Sequence, residues 1–264
     1  MAAPANLTPR TPPGKLAEGT ALLWWARVCD ASGDQVALLD DAERARLAGY
    51  RRAADRDRFL VGCALAKTVI AACTGSRPEQ ISFDRTCRRC GRPHGKPVVA
   101  GGGPEFSVAH SGALIAVAVA RDPVGVDVEQ LDGRARPLGG DGDPGALARL
   151  VLAEPERAAL AEVDPAARAR AFLVAWARKE AVTKATGDGL RAPFSQIVVA
   201  AGPDSAGPPR VTSWPYPQAP ESVSLLDLDA GPGYVAALAV LGPCEAVRSA
   251  DGSALLAARA RGGA

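Results

Sequence analysis

Apolar and polar positions follow two rhythms along the 264 residues. Ala21–Val28 is an apolar run rich in Leu, Trp and Val, the pattern of a buried strand. A strongly charged stretch near Asp40–Arg52 predicts a helix, and a second helix opens near Asp55 and runs to Cys73. In the second, Phe59, Leu60, Cys63, Val69, Ile70 and Cys73 form one stripe, with Gly75 placed as a stop. A loop carrying Cys87, Cys90, His94 and Gly95-Lys96-Pro97 leads through Gly101–Gly103 to a strand at Glu105–His110. Ala113–Ala120 and Val124–Glu129 are β-branched and apolar, and Arg121-Asp122-Pro123 between them predicts a hairpin.

The second half starts there. Asp132–Pro144 is dense in Gly, Asp, Arg and Pro and reads as a surface loop, followed by short helices to Glu162. A long helix is predicted from about Pro165 to Thr186, ended by Gly187 and Gly189. Strands follow near Gln196–Ala200, Ser222–Leu228 and Tyr234–Leu241. The boundaries drawn are a flexible Pro-rich tail at 1–18, an α+β half at 19–122, a second α+β half with the metal site at 123–245, and a frayed Ala/Arg/Gly tail at 246–264. The order of strand, helices and strands in each half hints at duplication, although no residue-level repeat stands out.

Composition narrows the class. Apolar residues make up 47% and charged residues 23%, ordinary for a globular enzyme that needs no disulfide or metal staple. The longest apolar runs fall well short of the ~20 residues that cross a bilayer, and the N-terminus lacks the pattern of a secretion signal. The expected location is cytoplasmic, with the six cysteines as free thiols. Thirty-one basic and 29 acidic side chains leave a net charge of +2, so no global field calls for nucleic acid as a partner.

Chemistry gathers in three places. Asp127 and Glu129, two apart on a strand, leave on one face, where hard oxygen ligands favour Mg²⁺ or Mn²⁺. Alone, such a pair is better explained by an edge strand with one solvated face. On the long helix, Glu180 and Lys184 are one turn apart with Trp176 one turn before them, which by itself is an ordinary surface pair. Ser107-Val-Ala-His110-Ser111 closes a strand just before the carboxylates. Cys87, Cys90 and His94 offer three zinc ligands where a zinc knuckle takes four.

It is the ordered set that resembles a known family. Gly125-Val-Asp127-Val-Glu129 and Trp176-Ala-Arg-Lys179-Glu180-Ala-Val-Thr-Lys184-Ala are similar to the paired motifs of the Sfp-type 4′-phosphopantetheinyl transferases. Gly95-Lys96-Pro97, Ser107–Ser111 and the Asp55–Lys67 helix resemble that family's first half, so the likeness runs from about Tyr50 to Leu190. Position 109 departs from the pattern, being Ala where relatives commonly carry a polar residue.

The resemblance implies two pseudo-twofold-related α+β halves with coenzyme A in the cleft between them, in a monomer. It implies Asp127, Glu129 and Glu180 as ligands of Mg²⁺, and Lys184 and His110 as phosphate-binding groups. Lys96 would lie beside the nucleotide, with Arg44, Arg46 and Arg52 near the 3′-phosphate, although a charged helix face explains these arginines equally well. The implied reaction moves phosphopantetheine onto a serine of an acyl, peptidyl or aryl carrier protein and releases 3′,5′-ADP, Glu180 accepting the serine proton. Leu131, Leu138 and Arg134–Arg136 are candidates for carrier docking. Competing readings are a Mg²⁺-dependent phosphohydrolase using the same carboxylates and a zinc-ribbon module that binds nucleic acid; 5% aromatic content argues against the latter.

Overall fold

A computed structural model describes residues 16–131, 144–200, 208–216 and 219–262. The first part of the chain forms β1 (Thr20–Arg27), α1 (Asp41–Gly49), α2 (Ala53–Thr74), β2 (Phe83–Asp84), β3 (Val98–Val99), β4 (Glu105–Ser111), β5 (Leu114–Ala120) and β6 (Val124–Gln130). It continues with α3 (Pro144–Val151), α4 (Glu154–Glu162), α5 (Arg168–Thr186), β7 (Val198–Ala200), β8 (Arg210–Ser213), β9 (Ser224–Leu228), β10 (Tyr234–Val240), β11 (Ala246–Asp251) and α6 (Gly252–Gly262). The class is α+β. None of these helices is long and apolar enough to cross a membrane.

Two sheets carry the architecture, one ordered β11-β1-β5-β4 and the other β6-β10-β9. The period of two in β5 decides what each face touches. Ile115, Val117 and Val119 join Phe59, Leu65, Val69 and Ile70 of α2 in one core, whereas Ala116, Ala118 and Ala120 turn to Val124, Val126 and Val128 of β6 in another. On β10, Val235, Ala237 and Ala239 pack with Phe172, Leu173, Trp176 and Ala177 of α5 in a third. Each large side chain fully buried in these cores contributes roughly 1.5–3 kcal/mol. The layers thus run α2, first sheet, second sheet, α5. Both long helices end at a glycine in the left-handed region, Gly75 at φ 72° and Gly187 at φ 84°.

A buried lysine anchors each of those helices. Lys67 Nζ donates to the Leu38 carbonyl (2.9 Å) and pairs with Glu43 (2.6 Å). Lys179 Nζ donates to the carbonyls of Val151 (2.7 Å) and Phe194 (3.0 Å) and pairs with Glu156. In both cases the glutamate also accepts from a backbone N–H at the start of a short helix, that of Asp40 or of Ala153.

Two expectations are corrected here. The Ala113–Ala120 and Val124–Glu129 segments are not a hairpin: β5 pairs with β4 through a turn at Gly112 and with β1, while among the described residues β6 pairs with β10 alone. Arg121-Asp122-Pro123 therefore carries the chain from one sheet to the next, because β1 already occupies the edge of β5 that a hairpin partner would need. Nor do residues 246–262 fray. β11 adds to β1 in parallel register, Thr20 opposite Ala246 through Trp25 opposite Asp251, and Leu256 of α6 is buried in the α2 core. The boundary drawn at 245 cuts the first sheet.

Candidate active site

The site is built on the face of β6 that meets α5. Gly125 makes the approach possible: a Cβ there would lie 1.9 Å from the Ala181 carbonyl oxygen and 2.6 Å from the Ala185 nitrogen. With helix and strand this close, Asp127 and Glu129, two apart, turn their carboxylates toward Trp176, Glu180 and Lys184. Glu129 accepts from the Ser111 hydroxyl and from Trp176 Nε1, both at 2.9 Å. Asp127 Oδ1 accepts from Lys184 Nζ at 2.7 Å, and the same ammonium donates to the Val126 carbonyl at 3.1 Å. The serines of β4 stitch the two sheets together here, Ser107 accepting from the Val126 N–H and Ser111 from the Gln130 N–H.

Electrostatics show an excess of buried negative charge. Burial pushes the Glu180 carboxyl up to about 7; Lys184 works against this, and the charges of Asp127 and Glu129 add to it. Burial raises Glu129 as well, with Asp127 adding to the shift. Asp127 is raised by burial and partly rescued by Lys184. Burial opposes the charge on Lys184, but Asp127, Glu180 and Glu129 together outweigh it and hold the lysine firmly protonated. One cation thus faces three carboxylates. Asp127 Oδ2 is buried with no hydrogen-bond partner, which is costly for a carboxylate oxygen. An orphaned hard oxygen beside two further carboxylates fits a divalent cation such as Mg²⁺. The three carboxylates do not draw within 4.8 Å of one another; among the described residues only Cys87, Cys90 and His94 form so tight a set.

Beside the carboxylates a cleft opens along the junction of the two sheets. Arg46, Arg58, Arg85 and His110 line its narrower end, about 140 Å³ in volume. Arg85, Phe106 and Val108 continue into a wider part of about 380 Å³, bordered by Lys96, Lys184, Gly187 and Arg191. Arg58 is pre-aimed by Asp55 (2.8 Å) and the Gly112 carbonyl (2.9 Å). Burial, and then the neighbouring Arg46, work against the charge on Arg85 and lower its pKa, so an anion here would relieve both guanidiniums. His110 reaches the surface at the cleft wall, yet crowding by the protein and then Lys184 and Arg58 hold its ring below the usual imidazole range.

The structure sorts the residues expected from sequence. Asp127, Glu129, Glu180 and Lys184 come together, while His110 stands at the narrower end of the cleft, within electrostatic reach of Lys184. Of the three candidate arginines only Arg46 reaches the cleft; Arg44 pairs with Asp41 on the outside, and Arg52 is an exposed residue at the start of α2. Lys96 borders the cleft but is bonded to Glu105 (2.7 Å) and the Ala185 carbonyl (3.0 Å), tying its loop to the end of α5. Arg58 and Arg85 were missed; Arg58 sits one helical turn after Asp55, which looks like a surface pair in sequence. Leu131 packs against the α5 core, whereas Arg134–Arg136 and Leu138 lie outside the described residues.

Comparison with known proteins shows which family the chain is similar to. The family model for the 4′-phosphopantetheinyl transferase superfamily matches residues 123–239, which hold β6, α5 and the carboxylates. The 4′-phosphopantetheinyl transferase HetI of Nostoc sp. is 31% identical over 79% of this chain and 81% of its own length. The chain belongs to the 4′-phosphopantetheinyl transferase superfamily. Other superfamily members align at similar levels: the 4′-phosphopantetheinyl transferase psf-1 of Bacillus pumilus is 30% identical over 77% of this chain and 79% of its own, and that of Bacillus subtilis 29% over 55% and 58%. Within this superfamily member, Gly125 and the Asp127–Glu129 pair occupy one strand face and Trp176, Glu180 and Lys184 the helix stripe laid on it.

Proposed function

We propose that this chain transfers the 4′-phosphopantetheine arm of coenzyme A to a serine of an acyl, peptidyl or aryl carrier protein, in a Mg²⁺-dependent reaction that releases 3′,5′-ADP. The observation that carries the reading is the buried surplus of carboxylates, with the partnerless Asp127 Oδ2, at the mouth of an arginine-lined cleft. Asp127, Glu129 and Glu180 would hold the ion. When bound, Mg²⁺ supplies positive charge to the diphosphate of coenzyme A. Arg46, Arg58, Arg85 and His110 bind the phosphate that distinguishes coenzyme A at the ribose 3′ position. Lys184 spends two of its three N–H donors on Val126 and Asp127, and the third is offered to the departing phosphate.

The serine hydroxyl oxygen forms a bond to the β-phosphorus as the bond from that phosphorus to the bridging oxygen breaks. The electron pair leaves with 3′,5′-ADP, and the hydroxyl proton passes to Glu180, directly or through a water, as general base. Alignment and charge, rather than covalent participation by the protein, do the rest. The recurrence of Lys67–Glu43 and Lys179–Glu156 supports a pseudo-twofold relation between the halves, of which only the second bears the carboxylates.

The test is mass spectrometry of apo carrier protein incubated with this chain, coenzyme A and Mg²⁺. A mass gain of one phosphopantetheine that EDTA abolishes is expected. Breakdown of coenzyme A without any gain on several carriers would make the protein a phosphohydrolase instead.

A further inference from the structure

The loop between β2 and β3 holds a second cluster that the transfer reaction does not use. One atom each from Cys87, Cys90 and His94 lies within 4.8 Å of the other two, and both cysteines are free thiols. Tetrahedral zinc with bonds of about 2.3 Å to sulfur and about 2.0 Å to nitrogen spaces its ligands roughly 3.5–3.8 Å apart, so a set this tight can share one ion. Cys90 Sγ is 2.9 Å from His94 Nε2.

The backbone is folded for the purpose. Cys87 N–H donates to the Arg92 carbonyl (2.8 Å), Gly91 N–H to the Cys87 carbonyl (2.9 Å) and Gly95 N–H to the Arg85 carbonyl (2.7 Å). Gly91, at φ 69°, takes the left-handed turn that lets the chain double back after Cys90. Arg191 Nη1 approaches Cys87 Sγ at 3.8 Å. A guanidinium beside this sulfur favours the thiolate, the form in which cysteine binds metal.

We propose that Cys87, Cys90 and His94 bind a zinc ion, with water in the fourth position. Two sulfurs and an imidazole nitrogen form a soft donor set that selects zinc over Mg²⁺. Cys90 and His94 lie at the surface, and among the described residues no fourth Cys, His, Asp or Glu joins the set, so solvent completes the tetrahedron. Binding releases the thiol protons and pins the loop. That loop supplies Arg85, Gly95, Lys96 and Pro97 to the wall of the cleft, so the ion braces one side of the substrate site. His94 and Arg191 border the same cleft, and the metal is read out on the chain without any cleft ligand.

The full chain, stripped with EDTA under reductant and reloaded with Zn²⁺ or Co²⁺, decides the matter. After gel filtration we expect about one zinc per chain, and in the cobalt form a thiolate-to-metal charge-transfer band with tetrahedral d–d absorption. Cys90→Ser and His94→Ala, both at exposed positions, should lose that metal while Asp127→Asn keeps it, which separates this site from the carboxylates. The proposal fails if the wild-type chain retains no zinc, if its cobalt spectrum lacks the thiolate band, if both variants keep the ion, or if Cys87 and Cys90 form a disulfide that persists under reductant.

Discussion

Arg46, Arg58 and Arg85 share one end of the cleft with His110, and a phosphate there would take charge-assisted bonds worth roughly 1.5–3 kcal/mol each. Arg58→Ala and Arg85→Ala should therefore each raise the KM for coenzyme A about 10- to 100-fold, while dephospho-coenzyme A, lacking the 3′-phosphate, responds little. Equal losses on both substrates in steady-state kinetics would place these arginines elsewhere in the reaction. Glu180 makes a second prediction. In the metal-free chain its carboxyl titrates near 7 against an ordinary 4.5, so between those values the folded state holds more protons than the unfolded state. Stability from this group accordingly falls as pH rises from about 4.5 to 7, by up to about 3 kcal/mol. In EDTA, the Tm of the wild-type chain should drop relative to Glu180→Gln between pH 5 and 8, and Mg²⁺ should restore it at pH 8. Parallel calorimetric profiles for the two proteins would refute a buried charge at this position. Asp127 and Glu129 were legible as a pair on one strand face from the period of two, and as candidate ligands only through the ordered set with Trp176, Glu180 and Lys184. Arg58 and Arg85 were not, since a charged helix face and a charged loop read the same whether they meet solvent or a cavity.

The contact of α5 with β6 depends on a missing side chain. Gly125→Ala would drive a methyl into the Ala181 carbonyl, and we expect a loss of about 3 kcal/mol or more in urea unfolding, with activity lost before the fold is. A stability change near zero would mean the helix can shift without cost. The helices themselves were readable: an apolar stripe with a glycine stop predicted α2, and glycine stops closed the prediction of α5, each to within a few residues of Ala53–Thr74 and Arg168–Thr186. Turn chemistry misled for β5 and β6 because it reports where a chain bends and not which strand it meets next. A repeat is hard to read in sequence for a related reason. Arg58, Lys67, Thr74 and Gly75 recur at the same intervals as Arg170, Lys179, Thr186 and Gly187, and both lysines are buried against a glutamate; four matching positions support the proposed pseudo-twofold relation but are too few to stand out among many substitutions.

The first sheet is completed by a strand far from it in sequence. β11 is the edge strand of the first sheet and lies parallel to β1, with Trp25 Nε1 donating to Ser249 across that pair. An Ala- and Arg-rich ending gives no apolar alternation, which is why the sequence read as a tail; the strand is held by its ladder and by α6 rather than by its own propensity. Ending the chain after Glu245 should lower Tm by about 10 °C or more or yield aggregates through the bared edge of β1; a variant as stable as the full chain would show that β11 is dispensable. The same pairing sets a timetable for synthesis. Residues 20–25 leave the ribosome well before their partners at 246–251, with α2, α5 and the second sheet translated in between. Until β11 emerges, the nascent first sheet carries an open flank that chaperones or premature self-association can reach, so folding on the ribosome can bring α5 onto β6 and its carboxylates before β1 finds its neighbour.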